Sequence, residues 1–201
     1  MVLRLALRSP RAVCLVALLV AGCAGTRSGA ELPSGLAIVS LEGEPRPGAE
    51  VERELRSALA AARATGDALV PPQLLDEYVA SAIGTVPDSV LLWGAYRRVL
   101  ADADRYTTDT SRAHVERHLA LSDLLYTDGP PPTAEMGERA AHALRWWMSQ
   151  QTAPASGLNE RAVAHLHRVA RAQSRYASRS RPTGLDARGE TFVRYGAPSR
   201  T

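Results

Sequence analysis

His114 and His118 stand four residues apart in "HVERH". On a helix that spacing puts two imidazoles on one face, where both could reach a single metal ion. The zincin pattern places its general-base glutamate directly after the first histidine; here Glu116 follows two residues after His114 and points elsewhere. With no third ligand evident, no metal site is expected, and the pair reads as solvated or half-buried imidazoles. His165 and His167 are two apart, fall on different sides of a helix and are expected at the surface. "DADRY", Asp102 to Tyr106, opens like a calcium loop, but Thr107 stands where the sharp turn needs glycine and Ala113 where the bidentate glutamate belongs. Adjacent helical positions diverge by about 100°, so of Trp146 and Trp147 one should enter the core while the other lies near the surface. No nucleophile with its base and no pair of convergent carboxylates is evident. No catalytic residue and no cofactor is therefore expected.

The residue whose surroundings imply most chemistry is Cys23. Residues 1 to 11 carry Arg4, Arg8 and Arg11 without an acid, and "AVCLVALLV", residues 12 to 20, is apolar, the two leading regions of a secretory signal. The run is short of the roughly 20 apolar residues that a spanning helix needs. It is also apolar all round, whereas a helix packed on a core would be amphipathic. "LVAGC", Leu19 to Cys23, with the small pair Ala21-Gly22 before the cysteine, resembles the lipobox of bacterial lipoproteins. The resemblance implies cleavage between Gly22 and Cys23, a diacylglycerol thioether on Cys23, and a fatty acyl group such as palmitate on its new amino group. Each buried methylene adds about 0.8 kcal/mol, so several chains anchor firmly where one would not. Membrane lipid is thus the first expected partner, and Ala24 in place of Asp implies the outer membrane of a two-membrane bacterium, on its periplasmic face.

Processing changes the charge. The whole chain has 24 Arg plus Lys against 21 Asp plus Glu, and three of those arginines lie in residues 1 to 22, leaving 21 against 21. The sequence pI near 9.2 therefore reflects the export signal, and no nucleic-acid partner is expected. Of the two cysteines, Cys14 leaves with the signal and Cys23 carries lipid, so neither a disulfide nor a thiolate metal site is expected. The remaining 179 residues are enough for one domain stabilised by packing.

The elements that must carry the rest are helical. Residues 23 to 48 are rich in Gly, Pro and Ser and read as a lipidated N-terminus and flexible tether. Within it the apolar island "LAIVSL", Leu36 to Leu41, reads either as a short docked strand or as part of the linker. From Ala49 onward Val51, Leu55, Ala58, Leu59 and Ala62 form one stripe, with Gly66 as a C-terminal cap. Further helices are expected from Pro72 to Ile83, from Pro87 with Leu92, Tyr96, Val99 and Ala103 on one face, from an Asp109 or Thr110 cap to about Tyr126, from a Thr133 cap through Met148, and from an Asn159 cap to about Ala177. "ETFVRYG", Glu190 to Gly196, alternates and reads as a short strand. The expected fold is mainly α: a bundle or stacked helical hairpins of about six helices over 49 to 182, then a short β segment within 183 to 201. A tetratricopeptide-like solenoid is the weaker alternative, since only "LLWGAY", Leu91 to Tyr96, matches a fragment of that repeat.

From Glu160 to Thr201 nine arginines face three acids. The basic end could meet anionic lipid, an acidic partner or the protein's own acidic helices, and internal pairing is the commonest arrangement. The same end, "RWWMSQQTAPASGLNERAVAHLHRVARAQSRYA" followed by "GLDARGETFVRYGAP", resembles the GWxTD-domain family of uncharacterised exported bacterial proteins. Asn159, Glu160, Gly184, Arg188, Gly189, Arg194, Tyr195, Gly196 and Pro198 match its motif. Leu185 replaces the signature Trp, and Asp186-Ala187 replaces Thr-Asp. Gly189 and Gly196 are fit to frame a strand with turns, and Arg188 or Arg194 could pair with Glu160 or Asp186 to fasten it to the sixth helix. The resemblance brings no established chemistry. The chain ends three residues after Pro198, where the family implies more strand, so a truncated family member is one expectation. The leading expectation is a membrane-anchored periplasmic interaction or scaffolding module with an envelope protein partner. The alternative is an envelope enzyme acting on peptidoglycan or glycan, recruiting Glu160, Asp186 or the histidines from separate helices.

Overall fold

The computed structural model describes residues 46–81, 83, 87–152 and 156–197; Gly22, Cys23, the island Leu36 to Leu41 and Pro198 lie outside them. Helix α1 (Gly48–Thr65) buries Val51, Leu55, Leu59 and Ala62, the stripe that its spacing dictates. It ends at Gly66, whose φ of 72° is left-handed and whose N–H donates to the Ala62 carbonyl. The freed Gly66 carbonyl accepts from Arg98 and Arg105, each at 2.9 Å, which ties this helix end to the segment around Arg98 to Arg105.

Helix α2 (Pro72–Ser81) starts on a proline, whose missing N–H is no loss in a first turn. Helix α3 (Ser89–Ala101) is capped by Asp88, whose carboxylate accepts from the N–H groups of Val90 and Leu91. It buries Leu91, Leu92, Trp93, Ala95, Tyr96, Val99 and Leu100, leaves Val90, Arg97 and Ala101 exposed along one stripe, and packs against α1, α2, α5 (Met136–Ser149) and α6 (Glu160–Tyr176). So broad an apolar face, meeting four other helices, gives α3 a central place in the packing. A single 3-10 turn (Ala103–Arg105) follows it where the calcium-like "DADRY" lies.

Helix α4 (Asp109–Asp123) is capped by Thr108, one residue before the expected cap, because the Thr108 hydroxyl is the one that reaches the Ser111 N–H. Helix α5 starts at Met136, later than a Thr133 cap would give, because the Ala134 N–H bonds to Pro131 in a turn that takes Thr133 out of the helix. Helix α6 starts at Asn159 as expected.

The expected strand is a helix. Residues 187–195 form α7 (Ala187–Tyr195), capped by Asp186, whose Oδ1 accepts from Gly189 N–H at 2.9 Å. Alternation in "ETFVRYG" suggested period two, but the buried positions are Gly189 and Val193, four apart, as a helix requires. The Asp186 cap and the packing of that face against α6 override the β preference of Thr191, Phe192 and Val193. Among the described residues there are seven α-helices and no strand; one isolated antiparallel bridge, Ala177 to Leu185, closes the turn between α6 and α7.

The core has two parts. The larger gathers α1, α2, α3, α5 and parts of α4 and α6 around Trp93, Tyr96 and Trp147. The smaller sits under α7 and consists of Leu121, Val169, Ala172, Leu185 and Val193, with Tyr176 and Phe192 at its edge.

Candidate functional site

Helix α4 carries His114, Arg117 and His118 on one face, by their spacing of three and four, and α2 brings Asp76 against them. Asp76 Oδ2 takes both His114 Nδ1 and an Arg117 Nη2 hydrogen bond. His118 Nε2 lies 3.0 Å from Oδ1, within ion-pair distance but off the line of a hydrogen bond. The expectation of solvated or half-buried imidazoles is overturned: His114 and His118 are buried, at 1% and 2% exposure. Their partner is 38 residues away in the chain, so no local spacing announced it.

Burial pushes the Asp76 carboxyl toward neutrality, but the nearby His118 and Arg117 and the hydrogen bond from His114 outweigh it. The net direction is well below the usual carboxylate range. Both carboxylate oxygens thus face side chains of α4, Oδ2 meeting His114 and Arg117 and Oδ1 meeting His118. Among the described residues no group of three or more His, Cys, Asp or Glu side chains is arranged to hold a metal ion. What this arrangement does chemically is hold α2 against α4 through a charge-assisted fork.

The fork continues into an aromatic seam. His118 tilts against Tyr96 with ring centroids 5.4 Å apart, and Tyr96 meets Trp147 edge-on at 6.3 Å. Trp147 packs on His165 at 5.2 Å. The Tyr96 hydroxyl shares a 2.9 Å hydrogen bond with Ser122, and burial pushes its pKa up to about 12. His165, expected at the surface, is 1% exposed, because Leu166, Val169 and Ala162 put that side of α6 into the core. Burial, aided by the nearby charges of Arg168 and His118, lowers its pKa to about 3, so it is neutral in the fold. Trp147 is the core indole and Trp146 the partly covered one, as adjacency on a helix predicts.

Glu116 is held by Arg139 of α5 at 2.5 Å, and the same guanidinium reaches Asp123 at 2.9 Å. Arg139 is 5% exposed, so this clamp between α4 and α5 rests on a buried guanidinium that holds two partly exposed carboxylates.

The motif residues of the C-terminal part have definite places. Asn159 is buried; its Oδ1 accepts from Ala162 N–H at 3.0 Å and its Nδ2 donates to the Trp147 carbonyl at 2.5 Å, joining the end of α5 to the start of α6. Gly184 turns the chain with φ 71°. Arg188 pairs with Asp186, as expected, at 2.7 Å, and its guanidinium lies over the Tyr176 ring. Gly189 is a true close approach, for a Cβ there would stand 2.9 Å from the Tyr176 Cβ and 3.0 Å from the Leu185 Cβ. Arg194 covers its neighbour Tyr195, which is 72% exposed, and Gly196 ends α7 with φ 84°.

One groove opens along α6 opposite the N-terminus of α3, with a volume of about 540 Å³. Glu160 and His167 both line it, together with Arg168 and Arg171; Asp186, His114 and His118 do not. Sequence reasoning placed these arginines in a generally basic end but did not single out the groove, which depends on α3 coming alongside. The chain matches no protein-family model, no curated protein and no solved structure. Among the described residues no helix is long and apolar enough to cross a membrane.

Proposed function

We propose that this chain is a lipid-anchored protein of the bacterial cell envelope, facing the periplasm from the outer membrane, whose helical body serves as an interaction or scaffolding module for another envelope protein. The observation that carries the anchor is "LVAGC" at the end of a basic then apolar leader. The reading of the body rests on how its ionisable groups are used. Asp76, His114, His118, Glu116 and Asp123 all hold helices to one another, and Asp186 caps α7. Kinship with the GWxTD-domain family belongs to the same proposal, supported by Asn159 and Asp186 as helix caps at the motif positions and by Leu185, buried where the family has Trp.

The test is fractionation of cells producing the full chain. With the native sequence the protein should sediment with membranes and, on treatment with globomycin, accumulate as a heavier precursor. The Cys23→Ser variant should escape lipidation and lose membrane retention. Unchanged processing and unchanged fractionation in both arms would overturn the anchor.

A further inference from the structure

We propose that the groove along α6 is the docking site for an acidic peptide segment of the partner, with Arg168 and Arg171 holding its carboxylate. This rests on the interaction-module reading and adds the chemistry of the partner. Among the described residues four arginines are not freely exposed: Arg98, Arg117, Arg139 and Arg168. The first three have a carboxylate in ion-pair contact: Asp102 for Arg98, Asp76 for Arg117, and Glu116 with Asp123 for Arg139. Arg168 has none, and its Nε is buried without a hydrogen-bond partner. A half-buried cation without a counter-charge is costly, and here the fold supplies no anion to offset it. Arg171, three residues on and so on the same face, and His167 beside it also lack a carboxylate within ion-pair distance.

The rest of the groove decides what carries the anion. Leu158 and Val163 give it an apolar side, and Glu160 stands at the opposite end from Arg171. Eleven residues of helix separate those charges, about 16 Å at 1.5 Å per residue, which an extended peptide of about five residues spans. A bare phosphate would use the arginines and leave Glu160 and the apolar side idle. A bilayer of anionic lipid would have to approach Glu160 and, beside Ser89 at the rim, Asp88. A segment with a cationic or amino group at one end, a small apolar middle and an acidic end fits all three features. The groove's volume also lies in the range of sites that take ligands of that size.

The test uses detergent-solubilised mature protein and fluorescein-labelled Lys-Ala-Leu-Ala-Glu, read by anisotropy. The same peptide ending in Gln amide is the control. Saturable binding is expected, weakened by about 0.5 M NaCl through charge screening. The control, Arg168→Gln and Arg171→Gln should each weaken it by about tenfold or more, since each removes a charge-assisted bond. Arg168→Gln should leave helicity and Tm at or above the native values, because it removes an unpaired cation; Arg171 is exposed, so its variant keeps the test valid if the first fails to fold. Absence of saturable binding overturns the proposal. So does displacement of the peptide by an equal concentration of inorganic phosphate, which would make this a bare oxyanion site. Binding to vesicles of phosphatidylglycerol and phosphatidylcholine that is lost in Arg168→Gln would likewise overturn it in favour of a bilayer. If cross-linking in cells captures one specific partner equally with native protein and Arg168→Gln, the interaction module stands and the groove assignment falls.

Discussion

At the scale of residues, Asp76 is where the structure departs furthest from what spacing alone conveys. "HVERH" shows two imidazoles on one helical face, but their meaning depends on a carboxylate from α2, and that contact exists only once α2 and α4 have packed. Replacing Asp76 with Asn removes the charge that Arg117, His114 and His118 share. Breaking a buried pair in this way costs about 3–5 kcal/mol, to be read from the shift in urea midpoint at pH 7. His165 gives a second prediction, with its sign set by burial. Its pKa falls from 6.5 to about 3 on folding, so below pH 6.5 the unfolded chain takes up a proton that the folded chain refuses. Stability is therefore complete above pH 6.5 and is lost as pH falls toward 3, at up to about 1.4 kcal/mol per pH unit. Asp76, depressed in the fold, adds a further loss as pH drops below 3.8. Urea titrations across pH 4 to 7 should show this slope, and His165→Gln should flatten it above pH 4. A slope unchanged by that variant would mean His165 is not the titrating group.

At the scale of elements, the start of α6 was legible from its Asn159 cap, whereas α4 begins on Thr108 rather than on Asp109 or Thr110, and the Asp186 cap of α7 precedes a stretch that alternates like a strand. The stripe of α1 was equally legible, because Val51 to Ala62 carry one apolar face over about three turns. α7 was not. Nine residues are too few for period to discriminate strand from helix, and its helical state depends on Leu185 and Val193 finding α4 and α6. Two variants test that dependence. Asp186→Ala removes the cap and should cost about 1 kcal/mol. Gly189→Val drives a branched side chain into Tyr176 and Leu185 and should cost about 1–3 kcal/mol or release α7. Hydrogen exchange over 187–195 reads both, with faster exchange there than in α3. Asn159→Ala loses a cap and a buried bond to the Trp147 carbonyl, so it should cost about 1–3 kcal/mol and loosen the start of α6.

At the scale of the whole molecule, the helical class was legible because six amphipathic segments recur between Gly- and Pro-containing links. The grouping into a main core and a smaller one beneath α7 was not, since it comes from contacts far apart in sequence. The α6 groove belongs to the same category: its arginines are visible in the sequence, but their lack of carboxylate partners is a property of the packed bundle. The central claim is anchorage through Cys23, from which compartment, mature charge and the absence of free thiols all follow. Mass spectrometry of the N-terminal peptide of protein extracted from membranes tests it most directly. A peptide beginning at Cys23 and carrying a diacylglycerol thioether with an N-acyl chain is the predicted result. An unmodified Cys23 within a peptide that continues back into residues 1 to 22 would contradict it.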